Sequence, residues 1–175
     1  MAASLAALPA DALSRALVGL LPELGRIARR LCGDAALAED LTQETACRAL
    51  AASETFRVGA AARPWLLRIL HNTWVSHLRR RRREVALPEG LAAAPAPARD
   101  GALVARALDA LPPAQRAVVV LVDLEESSYV EAAGALGVPV GTVMSRLHRA
   151  RRALRERLAD AGNLPPGRPS GTLAA

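Results

Sequence analysis

Lysine is missing from this sequence: all 23 basic residues are arginine, against 17 acidic residues, for a net charge of +6. Aromatic side chains are nearly missing too, with two Trp, one Tyr and one Phe in 175 residues. A β-sandwich would want more aromatic and β-branched side chains, so the 51% apolar content points to helices packed through Leu, Ala and Val. The two cysteines, Cys32 and Cys47, are too few for a disulfide framework and lack metal-type spacing, so small core residues are expected. His71, His77 and His148 form no i,i+4 pair, which argues against a zinc site. Without a nucleophile–base pair, a metal cluster or a glycine-rich phosphate loop, neither an enzyme nor a bound cofactor is expected. No apolar run reaches membrane-spanning length, and no basic residue precedes Arg15, so a cytoplasmic protein without membrane insertion is expected.

The positive charge is concentrated. Arg79–Arg83 is an unbroken run of five, and six more Arg lie from Arg146 to Arg157, with Glu156 the one acid among them. Outside these segments 12 Arg face 16 acids, a balance of −4. A mildly acidic body with two basic patches fits a protein that meets phosphate at two places.

The length allows one medium domain or two small ones, and small helical domains of this kind are only marginally stable alone. Periodicity favours two all-α domains. Residues 10–83 form the first, 84–101 a flexible linker with Pro88, Pro95 and Pro97, and 102–160 the second. Residues 161–175, rich in Pro and Gly, read as a disordered tail. In the first domain Asp11 can cap a helix reaching Leu21, with Pro22 opening a new helix or marking a kink. Gly33 ends that segment and Asp34 caps the next helix, which carries Leu37, Leu41, Thr45 and Leu50. Residues 53–62 read as a loop. Arg63-Pro64 then opens a long helix with Leu66, Ile69, Leu70, Trp74 and Leu78 on one side. Its other side carries Arg68, Asn72, Ser76, Arg79, Arg80 and Arg83.

In the second domain, helices are expected over Leu103–Leu111, from Pro112-Pro113 to about Leu121, from Ser127 or Ser128 to Leu136, and from Val140 to about Leu158. The last two, joined by Gly137-Val138-Pro139, make a helix-turn-helix, with Ala133 small enough for close approach. The final helix places Val140, Val143, Leu147, Ala150 and Leu154 inward. Gly141, Ser145, His148, Arg149 and Arg152 face outward, where short polar side chains can reach base edges. Upstream, Asp40, Gln43 and Glu44 share one helix face beside Glu39. An acidic face suits a basic protein surface better than DNA. Trp65 and Trp74 beside the Arg run could hold unstacked bases or belong to the core.

These residues resemble a known family. Asp40-Leu41-Thr42-Gln43-Glu44, Ala62-Arg63-Pro64-Trp65-Leu66 and Arg68-Ile69-Leu70-His71-Asn72 are similar to domain 2 of the ECF (extracytoplasmic function) sigma factors, within the sigma-70 family of bacterial RNA polymerase sigma factors. Leu111-Pro112-Pro113-Ala114-Gln115-Arg116 and the run from Val140 to Arg151 are similar to their domain 4. The resemblance spans about Leu20–Leu158 and implies a sigma factor that binds core RNA polymerase at the β′ clamp and β flap, and promoter DNA at two elements. It implies that Asp40, Gln43 and Glu44 dock on the clamp. Arg63, Trp65, Arg68, Asn72, Arg79 and Arg80 would serve the −10 element, with the 53–62 loop helping to capture a flipped base. Ser145, His148 and Arg149 would approach the bases of the −35 element, while Arg116, Thr142, Arg146 and Arg151 hold its backbone. The linker would follow the RNA exit path, and an anti-sigma factor is an implied partner.

Three positions depart from the family's pattern: Ser76 where Asp is common, Ala132 where Ile is usual, and Met144 where a basic residue is frequent. Two other readings stay open from residues alone. A free-standing DNA-binding regulator would use only the helix-turn-helix, and a sigma-like decoy would titrate an inhibitor.

Overall fold

The computed structural model describes residues 9–56, 61–85 and 102–160. Seven α-helices run in chain order: α1 (Pro9–Cys32), α2 (Ala35–Ala51), α3 (Ala62–Val85), α4 (Ala102–Asp109), α5 (Pro113–Val119), α6 (Tyr129–Leu136) and α7 (Val140–Asp160). A 3-10 turn spans Ser53–Thr55, and α5 runs on into a π-helical turn over Val120–Leu124. Among the described residues there is no strand, and no helix is long and apolar enough to cross a membrane.

α1 does not break at Pro22, and Asp11 lies inside it rather than at its cap. An interior proline removes one backbone hydrogen bond and costs about 3 kcal/mol. Here Leu13, Leu17, Leu24, Ile27, Ala28 and Leu31 recur along one buried stripe on both sides of Pro22, and their packing carries the helix through. Gly33 ends the helix with φ +73°, and the Asp34 carboxylate accepts from the Leu37 N–H at 2.7 Å to start α2.

α2 and α3 complete a three-helix bundle around α1. Leu41, Thr45, Leu66, Leu70 and Trp74 are buried as the periodicity predicts, whereas Ile69 and Leu78 are half-buried and Leu50 is exposed. Cys32 is half-buried and Cys47 exposed, so neither is the core residue expected of it. Cys47 falls on the outward arc of α2, two positions from both buried Thr45 and buried Ala49.

The C-terminal helices are short and depend on their ends. Ser128, not Ser127, caps α6. Its hydroxyl accepts from the Glu131 N–H while the Glu131 carboxylate accepts from the Ser128 N–H, a reciprocal box. That hydrogen bonding holds the Glu131 carboxyl below its usual range. Gly137 ends α6 in the left-handed region at φ +65°. Val143, Leu147 and Ala150 of α7 are fully buried, but Val140, expected inward, is exposed at the helix start. Ala132, one of the positions that depart from the resembled pattern, is completely buried. α4 stops at Asp109, short of the expected Leu111, because Pro112-Pro113 already begins the next helix.

The two halves pack against each other. α6 lies along α3, α5 and the π-helical turn meet α1, and one continuous apolar core runs from Leu17 to Ala150. Of the expected linker, Glu84 and Val85 belong to α3 and the rest lies outside the described residues, as does the expected tail. In the expected 53–62 loop, Ser53–Thr55 is a 3-10 turn and Ala62 already opens α3.

Candidate functional site

The three surfaces anticipated from sequence occupy different parts of this body. On α2, Asp40, Gln43 and Glu44 are all exposed and line a groove of about 640 Å³ against α3. The far wall of the groove carries Thr73, Ser76, His77, Arg80 and Arg83. Glu44 pairs with Arg48 at 2.7 Å, one turn along the same helix. Such an exposed pair contributes little to stability, so it leaves the acidic face available to a partner.

On α3 the anticipated residues divide. Asn72, Arg79 and Arg80 are exposed. Arg80 faces Glu84 at 3.8 Å, a loose pair. Trp65 is half-buried and packs on Phe56, with ring centroids 5.3 Å apart, while Trp74 is core at 1% exposure. Arg63 is already engaged. Its Nε donates to Glu23 at 2.7 Å, and its two terminal nitrogens reach the Ser127 hydroxyl at 3.2 Å and the Glu125 carbonyl at 3.3 Å. Arg68 is exposed but stands beside the α6–α7 turn, its Nη2 3.7 Å from where a Cβ on Gly137 would lie.

On α7, Ser145, His148 and Arg149 form an exposed outer face, with Thr142 half-buried behind them. Short local bonds steady this face: the Ser145 hydroxyl donates to the Thr142 carbonyl at 3.1 Å, and Arg149 Nε to the Ser145 carbonyl at 3.2 Å. Met144, 52% exposed, and Val140 add apolar surface on the same side. A helix end with free polar and apolar side chains, set in a capped helix-turn-helix, matches what the major groove accepts.

The arginines expected to hold the −35 backbone make contacts within the protein. Arg151 pairs with Asp123 through both its Nε and a terminal nitrogen, and that hydrogen bonding raises its already high pKa. Arg146 is half-buried against His71 of α3. Arg116 is the most enclosed, its side chain only 12% exposed. It donates to the Leu31 carbonyl and the Asp109 carboxylate, both at 2.9 Å, and to the Asp109 carbonyl. Burial pushes its pKa down, opposed by the Asp109 charge. His71, burdened by burial and then by the Arg146 charge, is lowered likewise, and its Nδ1 is buried without a hydrogen-bond partner.

Sequence reasoning missed four residues that organise this seam: Arg26, Arg30, Asp109 and Glu125. Glu125 accepts from Arg26 Nη2 at 2.8 Å and from Arg30, with its side chain only 3% exposed. Nothing in a one-dimensional pattern pairs residues nearly a hundred positions apart. The only local hint is two successive acids, Glu125-Glu126, in a loop between apolar helices.

Comparison with known proteins places this geometry. Residues 17–84 match the family model for sigma-70 region 2, and residues 102–154 match that for sigma-70 region 4. The chain is similar to the ECF RNA polymerase sigma factor SigE of Mycolicibacterium smegmatis, 44% identical over 146 residues, covering 77% of this chain and 56% of that protein's length. It is also similar to the ECF sigma factor EcfG of Rhodopseudomonas palustris, 38% identical over 82% of this chain and 83% of the relative. Among solved structures it resembles the sigma factor RpoE of Bartonella quintana in complex with the anti-sigma factor NepR. The TM-score is 0.71 at 35% identity, covering 83% of this chain and 96% of that one.

Proposed function

This chain belongs to the ECF RNA polymerase sigma factors, the subunits that direct promoter-specific transcription initiation, and on that premise we propose how its surfaces divide the work. The acidic face of Asp40, Gln43 and Glu44 docks on the basic clamp helices of core polymerase. Its exposure, with no partner for Asp40 or Gln43 among the described residues, supports this. The exposed edge of α3, with Asn72, Arg79 and Arg80, follows the −10 strand, and Trp65 on its Phe56 support offers a ring to an unstacked base. The outer face of α7 reads the −35 element through Ser145, His148 and Arg149. Exposed Met144 and Val140 are suited to thymine methyls there.

The observation that carries this reading is the pairing of two chemically opposite surfaces on one bundle. An exposed acidic face on α2 and exposed basic faces on α3 and α7 call for a protein on one side and a polyanion on the other. Two weak DNA modules and a protein dock on one chain then add through linkage. An anti-sigma factor is the expected antagonist, by analogy with the Bartonella complex. The test is binding of the purified chain to core polymerase beside its Asp40→Arg variant. We expect the substitution to weaken binding at least tenfold. Equal binding by both proteins would remove the acidic face from the interface.

A further inference from the structure

A cleft of about 460 Å³ opens between α3 on one side and the start of α5 with the α6–α7 turn on the other. Its walls are mostly apolar. Trp74 and Leu78 come from α3, Pro112 and Pro113 from the start of α5, and Leu136 and Val138 from the turn. Trp74 is buried and supplies a fixed aromatic surface. Two successive prolines hold the backbone opposite it, since each ring locks its own φ.

The charges of the cleft say what those walls hold. Arg79 and Arg82 of α3 and Arg146 of α7 line the same space, and no acidic side chain lines it with them. Among the described residues none of the three enters an ion pair. Arg146 is half-buried, and a half-buried guanidinium without a carboxylate is poorly compensated. His71 lines the cleft too, and its buried Nδ1 has no hydrogen-bond partner, so a second polar group is left unsatisfied there. Three cations repel a cationic ligand and gain little from a neutral one, whereas they complement an anion. Size narrows the class further. A helix with its side chains is about 10 Å across, so the cleft admits only about one turn of one. Small-molecule sites run from roughly 300 to 1,000 Å³, a range that includes it.

We propose that this cleft is a binding site for a single-chain carboxylate of the fatty-acid class, with its hydrocarbon chain along Trp74, Leu78 and Leu136 and its carboxylate among Arg146, Arg82 and Arg79. Arg146 is the principal contact, because its partial burial strengthens a charge-assisted hydrogen bond. A ligand held this way touches α3, α5 and α7 together, so it stabilises the folded chain by mass action. The inference stands on the cleft alone and not on the promoter roles given above.

The test titrates laurate into the full chain below its micelle concentration and reads tryptophan emission, since Trp74 lines the cleft. Emission should change saturably, with a Kd on the order of 10 µM. The melting temperature should rise with laurate concentration. Dodecanol, with the same chain and no charge, should bind about tenfold more weakly, and dodecyltrimethylammonium should not bind. Arg146→Gln should weaken laurate about tenfold and leave dodecanol unchanged, a split that loss of folding does not produce. Ala114 lines the cleft at an exposed position, so Ala114→Phe should obstruct both ligands with helix content unchanged by circular dichroism. No saturable response to laurate would overturn the proposal. Equal affinity for all three amphiphiles would do the same, because it marks unspecific adsorption to apolar surface. So would a melting temperature that falls as laurate is added. Tighter binding of a synthetic Leu/Glu helical peptide than of laurate would make the cleft a peptide groove and likewise overturn it. Core polymerase binding, read with Asp40→Arg, is a separate measurement that none of these outcomes moves.

Discussion

The seam between the two halves and the outer face of α7 are both supplied with arginine, and they use it in opposite ways. At the seam, Arg30, Arg63 and Arg116 each reach a backbone carbonyl of the other half, and Arg63 and Arg116 also pair with carboxylates of their own half, Glu23 and Asp109. On α7, among the described residues, Arg149 bonds only its own helix, and Arg152 makes only a loose exposed pair with Glu156 at 3.6 Å. The difference lies in what surrounds each guanidinium. A half-buried arginine beside an apolar core must be satisfied locally, whereas a solvated one keeps its charge for a polyanion.

Four substitutions test that contrast, beginning with the largest effect. Trp74 fills the core beneath the seam, so Trp74→Ala should cost about 3–5 kcal/mol of stability, read from urea unfolding. A loss under 1 kcal/mol would mean that the seam tolerates a cavity and is not tightly packed. Arg116→Ala strands the Leu31 carbonyl and unpairs Asp109, with an expected cost of about 1–3 kcal/mol. Arg149→Ala should leave stability within about 0.5 kcal/mol and weaken duplex binding instead. Equal stability loss for the two would erase the distinction between seam and outer face. Ser128→Ala removes the α6 cap and should cost about 1 kcal/mol in thermal unfolding, without altering the salt dependence of DNA binding.

The smallest effect concerns pH. His71 lies at the seam facing Arg146, with Arg79 and Arg82 lining the same cleft, and its pKa is lowered by burial first and by Arg146 second. Below the ordinary histidine value the unfolded chain takes up a proton that the folded chain refuses. Stability is therefore complete above about pH 6.5 and falls as pH drops through the lowered folded value. His71→Asn should show a flatter decline than the wild type between pH 7 and pH 5. Parallel curves would remove His71 from the seam's electrostatics.

Much of this was legible in one dimension because it depends on neighbours in sequence. The glycine stops at Gly33 and Gly137, the Asp34 cap, the buried stripe of α3 and the outward polar face of α7 follow from local sterics and a 3.6-residue period. The family was legible for a similar reason, since its motifs are short runs. What failed was also instructive. Pro22 looked like a boundary on propensity alone, but a stripe of leucines on either side outweighed one lost hydrogen bond. Cys47 looked like core by residue type, yet its position on α2 placed it outside.

The sequence by itself determined that the chain is all-α, that helices stop at Gly33 and Gly137, and that it carries two basic patches and one acidic face. Only the tertiary structure decided which arginines are free. Glu125 meets Arg26 and Arg30 across 99 and 95 positions, and Arg116 meets Leu31 across 85. No periodic pattern encodes such pairings. They arise because α6 settles on α3 and the π-helical turn on α1, and the apolar burial that drives this docking is blind to the charges it carries in.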